Sequence, residues 1–168
     1  MRQVCVAAPP ARTNMTKPAL DERREPERIA NRYEIQGVLG RGGMACVYLA
    51  TDLVAGRKVA LKELQLASNH DRASITALFE REFHTLSQLT HPRVIAVYDY
   101  GVSTRGPYYT MELLDGGDLR DRAPVPWRQA CALFFDVCSS LALLHSRRLL
   151  HRDISPRTFA ARTTTKPS

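Results

Sequence analysis

The sequence predicts an α+β fold in which a five-stranded antiparallel sheet with one helix is followed by a second, longer helix. Three observations support this prediction. Short runs of alternating apolar and polar residues recur within residues 33–113, and turn residues separate them. Between two of these runs, residues 72–89 repeat apolar residues at helical spacing. A longer helical pattern occupies residues 127–145, after the chain break marked by Gly116-Gly117.

Each strand is predicted from an apolar run and the turns that bound it. The predicted strands span residues 33–39, 46–51, 57–63, 94–101 and 108–113. The first two are joined by the glycine turn Gly40-Arg41-Gly42-Gly43-Met44-Ala45, and Ala55-Gly56 makes the next turn. The last two strands are joined by Ser103-Thr104-Arg105-Gly106.

The two helices are predicted from apolar stripes. In residues 72–89, Phe79, Leu86 and Leu89 fall on one stripe, and His91-Pro92 ends the helix because helical backbone is disfavoured before proline. The second helix, residues 127–145, is patterned to pack among other helices. Its predicted inner face consists of Ala130, Leu133, Phe134, Val137, Leu141 and Leu144.

Composition divides the chain into four segments. Residues 1–31 contain four prolines and a charged run without sustained periodicity, which is typical of a disordered tail. Residues 32–114 contain the predicted sheet, and residues 115–157 contain the second helix and the loop after it. Residues 158–168 are a polar, basic tail, and Met15 is an alternative start to Met1.

The charge and cysteine patterns exclude several partner classes. The net charge is +7, but residues 146–168 hold six basic residues against one acidic residue, so no nucleic-acid face is predicted. The four cysteines form no CxxC pair and are typical of reduced thiols in a cytosolic protein. Because no signal peptide and no apolar run of ~18 residues is found, we expect a cytoplasmic chain without a membrane segment.

A lysine in the third strand requires a partner. Lys62 lies among apolar residues, and its neighbour Leu61 points to the opposite face, so the strand is predicted to be covered on both sides. A charge placed there needs a counter-charge. Glu82, on the stripe of Phe79, is the expected partner, and Glu80 on another face is the poorer candidate. The alternative is a solvated lysine on an edge and a solvated glutamate on a helix flank.

Four motifs in this order resemble the protein kinase signature set. They are the glycine turn, Val59-Ala60-Leu61-Lys62, Met111-Glu112-Leu113-Leu114 and His151-Arg152-Asp153. The flanking sequences LGRGGMACVYLATD and HPRVIAVYDYG resemble bacterial serine/threonine kinases. The resemblance covers about residues 33–157 and implies a kinase small lobe, followed by only the first helix and the catalytic loop of the large lobe.

The resemblance implies an ATP site in the small lobe. The glycine turn would cover the phosphates, although Ala45 replaces its third glycine, and Lys62 held by Glu82 would contact the α- and β-phosphates. The residues implied at the cofactor site are Leu39, Gly40, Arg41, Gly42, Gly43, Val47, Ala60, Lys62, Met111, Glu112, Leu114 and Asp118. Among them, the backbone of Glu112 and Leu114 would bind the adenine edge, and Asp118 would face the ribose.

The resemblance also implies the catalytic residues, which are Asp153, Lys62, Glu82 and Arg157. Asp153 would accept or orient the proton of the substrate hydroxyl, and Arg157 would place a cation on the γ-phosphate. Magnesium is expected of the family. However, Thr158 stands where the family has its asparagine ligand, and no Asp-Phe-Gly follows in these residues, so no metal ligand is assigned.

These departures lead to an expectation of negligible kinase activity for the chain alone, since magnesium and positioning provide much of the catalysis. The abrupt change after Arg157 predicts a frameshift or premature end in an ordinary kinase gene. Three functions stay open. They are a serine/threonine protein kinase by descent, a non-catalytic pseudokinase-type module that binds a partner kinase or regulator, and an unproductive gene fragment. The sequence does not predict the protein substrate or the upstream signal.

Overall fold

The computed structural model describes residues 27–65, 72–114, 116–117, 119, 124–151 and 154, together with the backbone of residues 4–6 and 159–161. These residues fall into two compact units. The sheet unit contains those within residues 10–88 and 96–113. The helix unit contains those within residues 1–9, 89–95 and 114–168, so the short segment 89–95 belongs with the second helix.

The sheet unit is built on six antiparallel strands, and the helix unit contains a long helix and a two-stranded sheet. In chain order the elements are β1 (Val4–Val6), β2 (Arg28–Ile29), β3 (Tyr33–Arg41), β4 (Ala45–Asp52), β5 (Arg57–Leu64), α1 (Arg72–Ser87), β6 (Val97–Ser103), β7 (Gly106–Met111), α2 (Trp127–Ser146) and β8 (Phe159–Ala161). The larger sheet has the order β2-β3-β4-β5-β7-β6. The α+β class and the antiparallel sheet with its helix are confirmed.

The sheet has one strand more than the five predicted. Strand β2 lies inside the segment that was predicted to be a disordered tail, and it pairs with the start of β3. Its Ile29 is buried beside Tyr33. The turn after it contains Ala30 and Asn31 at φ 52° and 54°, a region that non-glycine residues seldom adopt. A two-residue strand before such a turn leaves no periodic signal in the sequence.

The central strands present two faces because successive side chains alternate. The lysine face carries Val47, Lys62 and Tyr109, which lie in register on β4, β5 and β7. Helix α1 packs against β6 and β7 on this side. The other face, which we call the glutamate face after Glu63, carries a buried core. That core consists of Ile29, Tyr33, Cys46, Tyr48, Ala50, Val59, Leu61 and Tyr108.

Helix α2 differs from its prediction in one buried position. Val137 and Leu144 are buried as expected, but Phe134 is 68% exposed, and Ser140 is buried instead. The Ser140 hydroxyl donates to the carbonyl of Asp136 at 3.0 Å, so burial leaves no unpaired polar group there. The apolar pattern alone could not distinguish Phe134 from the buried residues Val137 and Leu144, because all three belong to a broad apolar surface of the helix.

Two short strands lie within the segments that were predicted to be tails. Val4–Val6 pairs with Phe159–Ala161 as a two-stranded antiparallel sheet, β1 with β8. By length and composition alone, α2 is long and apolar enough to cross a membrane, whereas a chain without a membrane segment was predicted. One helix of this kind is weak evidence, because helices that pack inside soluble proteins satisfy the same criterion.

Candidate functional site: the lysine face of the sheet

The lysine and the glutamate singled out in the sequence lie in contact. The Nζ of Lys62 donates to Oε1 of Glu82 at 2.7 Å. Strand β5 positions the lysine in the centre of the sheet, and helix α1 brings the glutamate to it from above the same face. The two side chains are 16% and 36% exposed, so the pair borders solvent. Glu80, the poorer candidate, is exposed and lies 3.8 Å from His84.

A third side chain, Tyr109, joins this ion pair, and the sequence did not predict it. The hydroxyl of Tyr109 donates to the same Oε1 of Glu82 at 2.8 Å. Tyr109 is directly opposite Lys62 in the pairing of β5 with β7, so both side chains rise from the same face. The alternation of β7 could have revealed this, since Tyr109 and Met111 must share a face while Tyr108 points away. Burial and the Glu82 carboxylate both raise the pKa of Tyr109.

Aromatic rings hold the helix on the sheet at this point. The ring of Phe79 lies 5.0 Å from that of Tyr109, and Phe83 lies 5.9 Å from Tyr109 and 5.5 Å from Tyr100. Pairs at these separations contribute beyond the area they bury. The ammonium of Lys62 lies 5.7 Å and 5.5 Å from the ring centres of Phe79 and Tyr109. The Lys62 ammonium therefore lies close to both a carboxylate and two aromatic rings.

The glycine turn leaves room rather than adopting an unusual backbone. None of its glycines has a positive φ, in contrast to Gly56 and Gly106 elsewhere. The amide of Gly42 donates to the carbonyl of Ala45 at 2.7 Å, which closes the turn. A Cβ at Gly43 would meet nothing within 4 Å. The backbone at Gly43 is therefore open on its side-chain side, which would allow a ligand group to approach it closely.

Several residues implied at the cofactor site line up across the sheet. Gly40 pairs with Val47 and Arg41 with Cys46 on β3 and β4, while Ala60 pairs with Met111 on β5 and β7. Val47, Ala60 and Met111 are buried. Leu39 is half-buried on β3. These positions are fixed by the ladder, so the strand register brings them to the same part of the sheet as Lys62.

The predicted hinge begins where β7 ends. The amide of Glu112 donates to the carbonyl of Ala96 at 2.8 Å, which orients this peptide against the strand next to it. Leu114 belongs to the helix unit. Asp118, Asp153 and Arg157 lie outside the described residues. Within the part of the chain that the structure describes, no cluster of three or more His, Cys, Asp or Glu side chains could hold a metal ion.

The glutamate face holds a second charged cluster that the sequence analysis did not find. Glu63, next to Lys62 in the chain, is 2% exposed, and its Oε2 accepts from Nη2 of Arg105 at 2.7 Å. Arg105 also bonds the Tyr48 hydroxyl and pairs with Glu27. Burial raises the pKa of Glu63. Nothing in the turn sequence signals this role for Arg105, because its partners come from distant strands.

Comparison with known proteins agrees with this arrangement. Residues 33–160 match the family model described as a protein kinase domain. The chain belongs to the protein kinase family. The match spans most of the chain, from the start of β3 to β8, and it contains every residue of the ion pair and of the glycine turn.

Three proteins that are similar to this chain are bacterial serine/threonine-protein kinases. The serine/threonine-protein kinase PknB of Mycobacterium leprae is 37% identical over 139 residues, which is 78% of this chain and 22% of the relative. The serine/threonine-protein kinase PrkC of Bacillus subtilis is 36% identical over 134 residues, or 77% of this chain and 20% of the relative. A probable serine/threonine-protein kinase of Streptomyces coelicolor is 40% identical over 141 residues. The chain thus spans about a fifth of the length of these relatives.

Proposed function

We propose that the sheet unit of this kinase-family chain binds ATP on its lysine face. The observation that carries the proposal is the contact between Lys62 and Glu82. An ammonium held by a carboxylate at the border of solvent is oriented, and it keeps donors for an incoming anion, since an ammonium has three. Lys62 would contact the α- and β-phosphates, in keeping with the family.

The neighbouring residues fit a nucleotide. The open backbone at Gly43, together with Gly40, Arg41 and Gly42, gives a turn that phosphate oxygens can approach closely. Val47, Ala60, Leu39 and Met111 would surround the adenine with apolar surface. The hinge would bond the adenine edge through the Glu112 carbonyl and the Leu114 amide, and Asp118 would bind the ribose. The bonded amide of Glu112 is consistent with its carbonyl taking that role.

The reaction that we propose from the family of this chain is transfer of the γ-phosphate of ATP to a serine or threonine of a protein. The bacterial relatives, which are named serine/threonine-protein kinases, support this specificity. Asp153 would orient the substrate hydroxyl, and Arg157 would stabilise the γ-phosphate. Magnesium would supply further charge stabilisation when bound, but no step is assigned to it because the described residues contain no suitable ligand cluster.

The 168 residues contain no Asp-Phe-Gly, so we expect this polypeptide by itself to bind ATP without transferring phosphate at a measurable rate. A non-catalytic binding module is therefore the second candidate. The exposed apolar side chains of α2, which include Trp127, Phe134 and Phe135, favour it. Transfer of radiolabelled phosphate from ATP to a basic protein substrate would decide for catalysis and against the module.

We also propose a cytoplasmic location for the site. ATP is available there, and reduced thiols are maintained there. Among the residues that the structure describes, Cys46, Cys131 and Cys138 are free cysteines, and the latter two are exposed. Exposed thiols on one helix are typical of proteins from a reducing compartment.

The test of ATP binding uses Lys62→Met and a matched control on the same strand, Lys58→Met. Lys58 is exposed and pairs with Thr51 at the far end of β5 from the glycine turn. Loss of a charge-assisted hydrogen bond costs about 1.5–3 kcal/mol, which is roughly 10- to 100-fold in Kd. Isothermal titration with ATP should show this loss for Lys62→Met and no change for Lys58→Met. Equal affinity of both variants and the original chain would refute the proposed site.

A further inference from the structure

Tyr109 lies on the lysine face of the sheet and contacts Glu82 of helix α1. It lies on β7 directly opposite Lys62 on β5, and its side chain is fully buried. Its neighbours Tyr108 and Thr110 point to the glutamate face, so Tyr109 is the residue of this stretch that reaches α1. A phenol that is fully buried requires a hydrogen-bond partner, and Glu82 provides it.

The two donors to Glu82 are not equivalent. Lys62 and Tyr109 approach the same oxygen, Oε1, at 2.7 Å and 2.8 Å. Glutamate has a long side chain, and holding it in one rotamer costs conformational entropy. A pair bordering solvent contributes little towards that cost. The Tyr109 hydroxyl is fixed by a rigid ring, so it holds the carboxylate of Glu82 in one position independently of the lysine.

The ring of Tyr109 is itself held in place. Phe79 and Phe83, both on α1, lie 5.0 Å and 5.9 Å from it, and they flank Glu82 along the same helix. The helix that carries the carboxylate is thus packed against the ring that carries the hydroxyl. Because burial and the neighbouring carboxylate raise its pKa, Tyr109 stays protonated and remains a donor at neutral pH.

We propose that Tyr109 is a positioning residue for the nucleotide site: its hydroxyl holds Glu82 so that Lys62 is aimed at the phosphates. The inference rests on the proposed ATP site, and it adds a residue that acts through Glu82 rather than on the ligand. It predicts that removal of one oxygen atom from β7 weakens phosphate recognition while the binding of the base is unaffected.

The experiment compares Tyr109→Phe with Tyr108→Phe in the full 168-residue chain. Both substitutions remove a hydroxyl from a buried tyrosine of β7, but Tyr108 lies on the glutamate face. Titrations with ATP and with adenosine separate phosphate recognition from base recognition. Tyr109→Phe should weaken ATP binding about 5- to 10-fold, less than the direct loss of a charged hydrogen bond because Tyr109 acts through Glu82, and should leave adenosine binding unchanged. Tyr108→Phe should change neither.

A double-mutant cycle shows whether the effect passes through the carboxylate. In a Glu82→Ala background, Tyr109→Phe should weaken ATP binding no further. An unchanged ATP affinity of Tyr109→Phe would overturn the proposal, as would an equal loss for adenosine or an undiminished effect in the Glu82→Ala background. Each of these outcomes would show that the hydroxyl has only a structural role.

A measurement without nucleotide keeps the two proposals distinguishable. Urea denaturation should show that the losses of unfolding free energy caused by Tyr109→Phe and Glu82→Ala do not add in the double variant, because the two groups share one hydrogen bond. Additive losses would contradict the positioning of Glu82 by Tyr109. Non-additive losses in a chain that fails to bind ATP would instead refute the proposed function alone.

Discussion

Lys62 and Glu63 are consecutive residues of β5, yet they lie on opposite faces of the sheet and bear opposite charges. Lys62 meets Glu82 at the border of solvent, where the partner is 36% exposed. Glu63 is almost completely enclosed and meets Arg105 from the turn between β6 and β7. The carboxylate of the first pair borders solvent, whereas the carboxylate of the second is buried and only its partner Arg105 is part-exposed, at 36%. The exposure of the carboxylate, rather than the charges involved, distinguishes the two pairs.

The largest expected effect concerns the pair whose carboxylate is buried. Arg105→Ala leaves the Glu63 carboxylate buried without its cation, which should lower the free energy of unfolding by about 3 kcal/mol at pH 7. Urea denaturation measures it. The loss should shrink near pH 4, because burial raises the pKa of Glu63 and the carboxyl group then takes up a proton.

Arg28→Ala is the matched control for this prediction. Arg28 pairs with Glu34 at 3.2 Å, but this pair is exposed, so its loss should cost less than about 1 kcal/mol. If Arg105→Ala proved no more destabilising than Arg28→Ala, the importance given to burial of the carboxylate would be wrong.

A second effect sharpens the contrast within the glutamate face. Asp52 is buried there and receives two bonds from Arg32, at 2.9 Å and 2.8 Å, and backbone amides of Val54 and Ala55. The Arg32 hydrogen bond is the main cause that lowers the pKa of Asp52 from 3.8 to about 2. A carboxyl group with a lowered pKa stabilises the fold above pH 3.8, here by about 2 kcal/mol. This stabilisation is lost as the pH falls towards 2.

Acid denaturation of Asp52→Asn checks this sign. The variant should be less stable at pH 7 and should lose less additional stability between pH 4 and pH 2 than the original chain. Glu63→Gln should show the opposite pH dependence. Because burial raises the pKa of Glu63, its carboxylate form destabilises the fold above pH 4.5, and the substitution removes this cost. If the original chain and Asp52→Asn lost the same stability between pH 4 and pH 2, the lowered pKa of Asp52 would be contradicted.

The smallest effects are expected on α1. Glu82→Gln removes the charge that faces Lys62 and should cost about 1 kcal/mol of unfolding free energy, because water reaches this pair. Glu80→Gln, two residues earlier, should change it by less than about 0.5 kcal/mol, since Glu80 and His84 are both exposed. Thermal unfolding of the two variants in parallel makes the comparison. A larger loss of stability for Glu80→Gln than for Glu82→Gln would show that Glu80, and not Glu82, is the carboxylate that stabilises the fold.

The site was predictable where a local pattern forces an outcome. A lysine in an apolar strand needs a counter-charge, and the stripe of α1 offered Glu82 at the matching face. The strands and the glycine turn followed from alternation and turn residues to within a few positions. Asp153 and Arg157 remain predictions, because their side chains are outside the described residues.

The sequence by itself determined the α+β class, the antiparallel sheet, the face that Lys62 occupies and the resemblance to kinases, because these depend on periodicity and short motifs. The tertiary structure alone decided that β2 joins the sheet, that Phe134 is exposed, and that Tyr109 and Arg105 complete the two charged clusters. Those contacts join residues 27 and 42 positions apart in the chain. A local pattern cannot encode which distant side chain will share an oxygen atom, since only packing of the helix and the turns against the sheet brings the two together.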